Sequence, residues 1–197
     1  MKGLTIFTSL VIIVCIFCSF MPLGNEAEIY DNTVRLHVLA NSDSEHDQSV
    51  KLYVRDEILG YIADITKGCT TVEEAESVIS ANISAICERA KSALANIDEE
   101  KEVSVTLSKE YYPTRNYEDF SLPAGRYTSL RIMIGKAEGQ NWWCVLYPEL
   151  CTSGAKTGET LVKTGFSKEQ IEILTGKDEP KYRLKFKFLE IFEKSFG

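Results

Sequence analysis

The chain has 197 residues, of which 44% are hydrophobic and 26% charged, a composition typical of a folded protein and not of a disordered one. Its formal net charge of −7 argues against nucleic acid as a partner, because surfaces that bind nucleic acid are basic. The length is sufficient for one ordinary domain with additional segments.

An uncharged apolar run, Leu4 to Met21, follows Lys2 near the N-terminus. A basic residue, an apolar core and a small-residue exit are typical of a secretory signal. The run is also close to the ~20 apolar residues that span a bilayer, so a retained membrane anchor is the alternative. The sequence therefore predicts a signal peptide or membrane anchor over residues 1–24, a polar linker over residues 25–33, and export of the remainder.

Residues 34–151 show the periodicities of one folded domain. Alternation of apolar and polar residues predicts strands within four stretches: Val34–Ala40, Val103–Leu107, Leu130–Ile134 and Trp142–Tyr147. Apolar stripes at helical spacing predict two helices, Val50–Ile65 and Thr71–Ile97. This order predicts an α+β fold in which an antiparallel sheet carries two long helices packed on one face.

Local signals set the ends of these elements. Ser44, with Asp47 three residues later, predicts the N-terminal cap of the first helix, and Thr71 predicts the cap of the second. Gly135 and Gly139 bracket the turn between the last two strands, which predicts that these strands form an antiparallel hairpin.

The C-terminal part of the chain is less regular. Residues 152–165 are small and polar and predict a flexible linker. Residues 166–197 form a predicted C-terminal extension, with a short helix ended by Gly176 and then an alternating strand that continues at helical spacing. This strand carries a basic stripe that either rests against an anionic membrane surface or is a solvated face: Lys181, Arg183, Lys185 and Lys187.

Four cysteines lie outside the export segment, and four cysteines allow three disulfide connectivities. If residues 71–97 form one helix, Cys69 and Cys87 lie roughly 24 Å apart along it. That distance is too long for a disulfide, so we expect two buried thiols. Cys144 and Cys151 flank a proline turn and are the favoured pair. A zinc site is the competing interpretation, with weak support from the spacing.

Both tryptophans lie in a loop-rich aromatic stretch, residues 111–151. Loops that carry aromatic residues and an arginine on a rigid scaffold are typical of recognition surfaces. Trp142 and Trp143 are adjacent, so on a strand they point to opposite faces, and one of them is expected to be exposed. The alternatives are that both tryptophans are buried, and that Arg115 forms an ion pair within its own loop, with Glu118 or Asp119.

The 41–47 turn, rich in short polar side chains, lies beside His37 and His46 and could hold a metal ion. It lacks the glycine and the twelfth-position glutamate of an EF-hand loop, and helix capping accounts for most of its residues. No G-x-S-x-G or H-E-x-x-H motif is present. The sequence therefore predicts no catalytic residue, no metal and no cofactor. The alternative is a hydrolase with a carboxylate pair drawn from Asp43, Asp47 and Asp56.

Two long blocks of the sequence are distinctive: RLHVLANSDSEHDQSVKLYVRD at Arg35–Asp56, and YYPTRNYEDFSLPAGRYTSLRIMIGKAEGQNWWCVLYPELC at Tyr111–Cys151. They resemble the signature blocks of the stage II sporulation protein R family. The tail from Thr152 onward is less distinctive, and the segment around Cys69 is not part of the family pattern.

The resemblance implies an exported signalling protein of endospore-forming bacteria, made in the forespore and located between the two membranes that separate it from the mother cell. Members of the family trigger a membrane-embedded aspartic protease, which cleaves the precursor of the mother-cell sigma-E factor, and they are not known as enzymes. The alternative is a hydrolase that acts on peptidoglycan or peptide in the same space. Our hypothesis for the surface that contacts the protease comprises Asn41, Asp43, Asp47, Tyr112, Thr114, Arg115, Tyr117, Trp142 and Trp143.

Overall fold

The computed structural model describes residues 2–19, 24–117, 119–150 and 157–176. Its helices are α1 (Lys2–Ser19), α2 (Gly24–Asp31), α3 (Glu45–Thr66), α4 (Val72–Ala81), α5 (Ile83–Ala95), α6 (Thr157–Lys163) and α7 (Lys168–Thr175). Its strands are β1 (Val34–Leu39), β2 (Val103–Tyr112), β3 (Arg115–Asn116), β4 (Ser121–Leu122), β5 (Gly125–Ile134) and β6 (Asn141–Tyr147). The predicted α+β class is confirmed.

The main sheet has four strands in the order β2-β5-β1-β6, and β3 and β4 pair separately as a small hairpin. The β2–β5 and β1–β6 pairs are antiparallel, as predicted, but β1 and β5 are parallel. Because β1 lies between β5 and β6, the predicted hairpin of the last two strands is wrong. The physical reason is that β1 is buried along almost its whole length, which requires a neighbouring strand on each side.

Gly135 and Gly139 serve a different purpose from the predicted hairpin turn. Gly135 has a φ of +59°, and a Cβ at this position would collide with the side chain of Asn41. A Cβ at Gly139 would collide with the backbone carbonyl of Ser42. The two glycines therefore allow the loop after β5 to pack closely against the 41–47 turn.

Helices α3, α4 and α5 cover one face of the sheet, where two long helices were predicted. The second predicted helix is interrupted at Asn82, whose amide Nδ2 donates a hydrogen bond to the carbonyl of Val78 at 2.8 Å. An asparagine amide competes in this way with the hydrogen bonds of the helix backbone. The core between helices and sheet includes Leu36, Ile58 and Ile86, all of which are fully buried.

The predicted helix caps are confirmed. Ser44 Oγ accepts a hydrogen bond from the backbone N–H of Asp47 at 3.1 Å, at the start of α3. Thr71 Oγ1 accepts one from the backbone N–H of Glu74 at 3.3 Å, at the start of α4. Each cap satisfies a backbone donor that the first helical turn leaves without a partner.

The opposite face of the sheet is covered at one end by α2, α6, α7 and the β3–β4 hairpin. A second hydrophobic cluster forms there, with Ile29, Leu161 and Tyr127 fully buried. Helices α2 and α6 occupy residues that the sequence predicted to be linkers. Both helices are stabilised because Ile29 and Leu161 pack into this cluster. One apolar residue in a short polar segment shows no periodicity, so the sequence pattern does not predict these helices.

The ends of the chain differ from the folded centre. Helix α1 carries exposed apolar side chains, with Leu4, Ile6 and Phe7 between 64% and 71% exposed. Within the described ranges, no helix combines the length and the apolar character needed to cross a membrane.

Cys69 and Cys87 are free thiols, each partly buried. Cys151 and the basic stripe of residues 181–187 lie outside the described residues.

Candidate partner-binding site

A groove of ≈ 440 Å³ lies between the β3–β4 hairpin and the start of β6. We call it the β3–β6 groove. Three consecutive residues of the hairpin side and four of the β6 side line it: Arg115, Asn116, Tyr117, Gln140, Asn141, Trp142 and Trp143. Four of the nine residues hypothesised for the partner surface therefore meet here.

Each tryptophan at the groove stacks on an arginine. The Cζ of Arg115 lies 3.6 Å from the ring centroid of Trp143, and the Cζ of Arg55, on α3, lies 4.3 Å from that of Trp142. Because adjacent strand residues point to opposite faces, the two stacks flank β6 on both sides. Trp142 is 36% exposed and Trp143 is partly buried, so Trp142 is the more accessible tryptophan.

An aromatic layer supports Trp143 from below. The rings of Tyr112 and His37 lie 6.0 Å and 5.7 Å from the Trp143 ring, centroid to centroid. Tyr112 is only 2% exposed, so this member of the hypothesised contact surface supports the groove and cannot touch a partner. Burial raises the pKa of the Tyr112 and Tyr117 hydroxyls above the ordinary value of 10.0.

Arg35 is fully buried under this layer, although strand alternation places charged residues on solvent-facing sides. Its Cζ lies 3.9 Å from the centroid of the Tyr112 ring and 4.9 Å from that of Tyr127. Its Nη2 donates a hydrogen bond to the Tyr117 hydroxyl at 2.7 Å, which ties the β3–β4 hairpin to the sheet. The alternation of Arg35 and His37 with apolar residues in β1 predicts a solvent-facing arginine, so this role was missed.

Several hydrogen-bond donors at the groove have no acceptor. Arg35 Nε and Nη1, Arg115 Nε and Trp143 Nε1 are buried without a hydrogen-bond partner among the described residues. Among the described residues, no ion pair includes Arg35 or Arg115. The alternative interpretation of Arg115, an ion pair with Asp119, is therefore wrong; Glu118 lies outside the described residues.

The 41–47 turn borders the groove but uses most of its polar groups internally. Ser42 Oγ and Asn41 Nδ2 donate to Asp47 Oδ2 at 2.5 Å and 2.8 Å, and Lys101 Nζ lies 3.2 Å from Asp47 Oδ1. These hydrogen bonds, with the Lys101 charge, hold the pKa of Asp47 well below its ordinary value. Asp43 Oδ1 accepts from the backbone N–H of Gln140 at 2.6 Å, which attaches the turn to the groove.

Of the carboxylates considered for hydrolysis, Asp43 and Asp47 both belong to the 41–47 turn. Asp56, on α3, pairs with Arg55 at 2.6 Å, whereas His37 lies on the other face of the sheet. His37 Nδ1 is 3.2 Å from Glu110 Oε2, and its Nε2 is 3.0 Å from Asn141 Oδ1. Over the described ranges, His, Cys, Asp and Glu side chains form no group of three that could hold a metal ion.

Comparison with known proteins identifies the family. The family model described as stage II sporulation protein R matches residues 30–157, which include every residue of the groove. The chain is 38% identical over 133 residues to a protein of Bacillus subtilis (strain 168) named Stage II sporulation protein R. That alignment covers 68% of this chain and 59% of the relative. No solved structure matches the chain. The chain therefore belongs to the stage II sporulation protein R family.

Proposed function

We propose that this sporulation protein is an exported signal that activates a membrane-embedded aspartic protease, leading to cleavage of the sigma-E precursor in the mother cell. Membership of the family supports a role in sporulation. The observation that carries the signalling role is the pair of Arg–Trp stacks on both sides of β6, beside an open groove. Tryptophan and arginine are the residues that most often dominate the binding energy of protein interfaces.

The proposed mechanism requires binding alone and no bond chemistry. A ligand shifts a protein between inactive and active states only by binding one state more tightly than the other. On this proposal the protein acts as an activator and not as an enzyme, and the groove binds the active state of the protease. Thr114, Arg115, Tyr117 and the two tryptophans form the contact surface, while Asp43 holds its rim.

Export is the second part of the proposal. The exposed apolar side chains of α1 suit a secretory signal or a membrane anchor, since so much apolar surface is rarely left in water. We place the predicted signalling domain, residues 34–151, in the space between the forespore and mother-cell membranes. The basic stripe of residues 181–187 would favour an anionic membrane surface there.

A disulfide belongs to the same proposal, because the space outside the forespore membrane permits oxidation. Cys144 lies in β6, one residue from Trp143, and is only 5% exposed. A bond between Cys144 and Cys151 would close the loop that follows β6 and hold the strand end in place. Cys69 and Cys87 take no part in it, since both thiols are free.

Reconstitution tests the proposal. The full chain is added to vesicles that contain the protease and the sigma-E precursor, and cleavage of the precursor is followed. We expect Arg115→Ala to raise the concentration of the chain needed for half-maximal cleavage about tenfold or more, as for a dominant interface residue. Arg126→Ala is the matched control, because Arg126 is exposed and lies outside the groove while the charge change is the same.

Single substitutions separate signalling from hydrolysis. A binding surface weakens in increments as its residues are removed, whereas a hydrolase loses its activity with one acid or base. Loss of all cleavage on substitution of His37 or Asp43, in a chain that still folds, would contradict the proposal. Full activity of a folded Arg115→Ala, Trp142→Ala double variant would contradict the assigned surface.

A further inference from the structure

A second cavity, of ≈ 460 Å³, lies between the end of α3, the end of β6 and helix α6. We call it the α3–β6 cavity. It shares no residue with the β3–β6 groove, so the two are separate sites. Its lining includes a thiol, a phenol and four charged side chains, from Cys69, Tyr147, Asp64, Lys67, Glu149 and Lys163.

The reactive group of this cavity is the Cys69 thiol, which is free and partly buried. The backbone N–H of Cys69 donates a hydrogen bond to the Thr66 carbonyl at 2.9 Å, which holds the residue at the end of α3. Cys87 is a contrasting free thiol, because it does not line the cavity and its Sγ donates to the Val103 carbonyl at 3.7 Å. A thiol that is accessible from a cavity can be modified, whereas a thiol packed in apolar surroundings is inert.

A buried hydroxyl in the same cavity indicates a ligand. Tyr147 is only 6% exposed, and its hydroxyl has no hydrogen-bond partner among the described residues. The Thr66 hydroxyl, by contrast, donates to the Ile62 carbonyl at 2.7 Å. Burial raises the pKa of the Tyr147 hydroxyl, and the nearby Cys69 raises it further. Because a buried donor without an acceptor is unfavourable, the cavity suits a ligand that brings an acceptor close to the thiol.

The charges at the cavity indicate the chemistry of that ligand. Two cations and two anions line it, and all four side chains are exposed: Lys67, Lys163, Asp64 and Glu149. Among the described residues, none of the four belongs to an ion pair. An amino acid carries a carboxylate and an ammonium group, so unpaired charges of both signs complement it.

We propose that the α3–β6 cavity binds the disulfide of an amino acid, cystine, and that Cys69 reacts with it there. The Cys69 thiolate attacks one sulfur of the bound disulfide, while the Tyr147 hydroxyl donates to a carboxylate of the ligand. A new S–S bond joins Cys69 to one cysteine molecule, and the S–S bond of cystine breaks. The second cysteine leaves as a thiolate and takes up the proton that Cys69 lost.

This exchange needs no further oxidant, because the Cys69 sulfur is oxidised as the leaving cysteine is reduced. The site does not depend on the activation of a protease. Only its supply with a disulfide rests on the proposed export, since oxidising spaces outside the cytoplasm are where disulfides persist.

Modification rates test the proposal with the full chain in detergent micelles and without the protease. The probes are cystine and cystamine, which has the same disulfide and amino groups but no carboxylate. Mass spectrometry of peptide fragments gives the rate at Cys69, and each rate is divided by that of the same reagent with the chain unfolded in urea. We expect the normalised rate for cystine to be about tenfold higher, because hydrogen bonds to its carboxylate are charge-assisted.

Variants locate the carboxylate. Tyr147→Phe should lower the cystine rate at Cys69 about tenfold and leave the cystamine rate unchanged, because only cystine uses the hydroxyl. The Tyr147 hydroxyl makes no hydrogen bond among the described residues, so its removal should not unfold the chain, which circular dichroism checks. Tyr111→Phe is the matched control, because Tyr111 is 68% exposed and lies outside the cavity.

Four outcomes would overturn the proposal. They are no modification of Cys69 in the folded chain, equal normalised rates for the two reagents, an unchanged cystine rate in Tyr147→Phe, and an equal loss in Tyr111→Phe. The same preference for cystine at Cys87 would also overturn it. Failure of this assay leaves the proposed signalling untouched, and failure of the protease reconstitution leaves this site untouched.

Discussion

At the scale of single residues, Arg35 sets the character of the site. Removal of a guanidinium group from water is costly unless other groups replace its hydration. Here the faces of Tyr112 and Tyr127 and the hydroxyl of Tyr117 replace part of it, while Nε and Nη1 have no hydrogen-bond partner among the described residues. The positive charge therefore lies beneath the groove, under the Tyr112 ring that supports Trp143.

Tyr112 gives a test of this buried layer. We expect Tyr112→Phe to lower the free energy of unfolding by about 1–3 kcal/mol, because the Ser129 hydroxyl loses its buried partner. The two hydroxyl oxygens lie 2.6 Å apart, and Tyr112 and Ser129 are 2% and 0% exposed. Tyr111→Phe is the control, since Tyr111 is 68% exposed. Urea denaturation of both variants measures the difference, and equal losses would contradict it.

Asp47 makes the stability of the 41–47 turn depend on pH. Hydrogen bonds from Ser42 and Asn41, together with Lys101, lower its pKa from the ordinary value of 3.8. A lowered pKa stabilises the folded state above pH 3.8, and this contribution is lost as the pH falls further towards the folded-state value. We expect the unfolding free energy of the wild type to fall more steeply below pH 3.8 than that of Asp47→Asn.

Urea midpoints measured at several pH values test this expectation. At neutral pH the Asp47→Asn variant should be the less stable protein, and the gap between the two should narrow in acid. Asp64→Asn, at an exposed position of the same helix, controls for the change of charge. Parallel pH profiles for the wild type and Asp47→Asn would refute the role of the carboxylate.

Single-residue chemistry was partly visible in the sequence. Arg115, Tyr117, Trp142 and Trp143 were selected for their residue types, and the fold brings all four to one groove. Arg35 was not selected, because alternation assigns a charged strand residue to solvent, and only the tyrosines of two distant strands make its burial possible. Tyr112 was selected for contact but is buried, since its exposure depends on the hairpin that covers it.

At the scale of elements, the contact between the 41–47 turn and the loop after β5 rests on Gly139. We expect Gly139→Ala to lower the free energy of unfolding by about 1–3 kcal/mol, because its methyl group would collide with the Ser42 carbonyl. Gly60→Ala in α3 is the matched control. No atom lies within 4 Å of an added Cβ there, and alanine should raise stability by about 0.5–1 kcal/mol. Thermal denaturation measures both variants. Opposite shifts of the two melting temperatures would confirm the close approach, and shifts in the same direction would contradict it.

Helix ends were easier to predict than sheet order. Ser44 and Thr71 cap their helices through contacts three residues away, which the sequence displays directly. The pairing of β1 with β5 and β6 joins residues that are far apart in the chain, and several arrangements of these strands fit the same alternation. The break at Asn82 was missed because the apolar stripe continues on both sides of it.

At the scale of the whole molecule, the exposed surface of α1 should govern association with lipid. We expect Ile12→Lys to reduce binding of the full chain to lipid vesicles about tenfold or more, because a lysine in an apolar helix is costly to bury in lipid. Val162→Lys in α6 is the control: Ile12 and Val162 are 59% and 65% exposed, but α6 belongs to the folded part. Vesicle flotation measures the lipid binding of both variants. An equal loss of binding in the two would contradict a special role for α1.

The central place of β1 has a consequence for the order in which the molecule can assemble. Val34 pairs with Thr128 on one side and with Tyr147 on the other, so its two neighbours come from the distal half of the polypeptide. A chain that leaves a translocation pore N-terminus first would leave one edge of this strand unpaired until residue 147 had emerged. If the chain is exported as proposed, the complete sheet could close only after most of the chain had crossed the membrane.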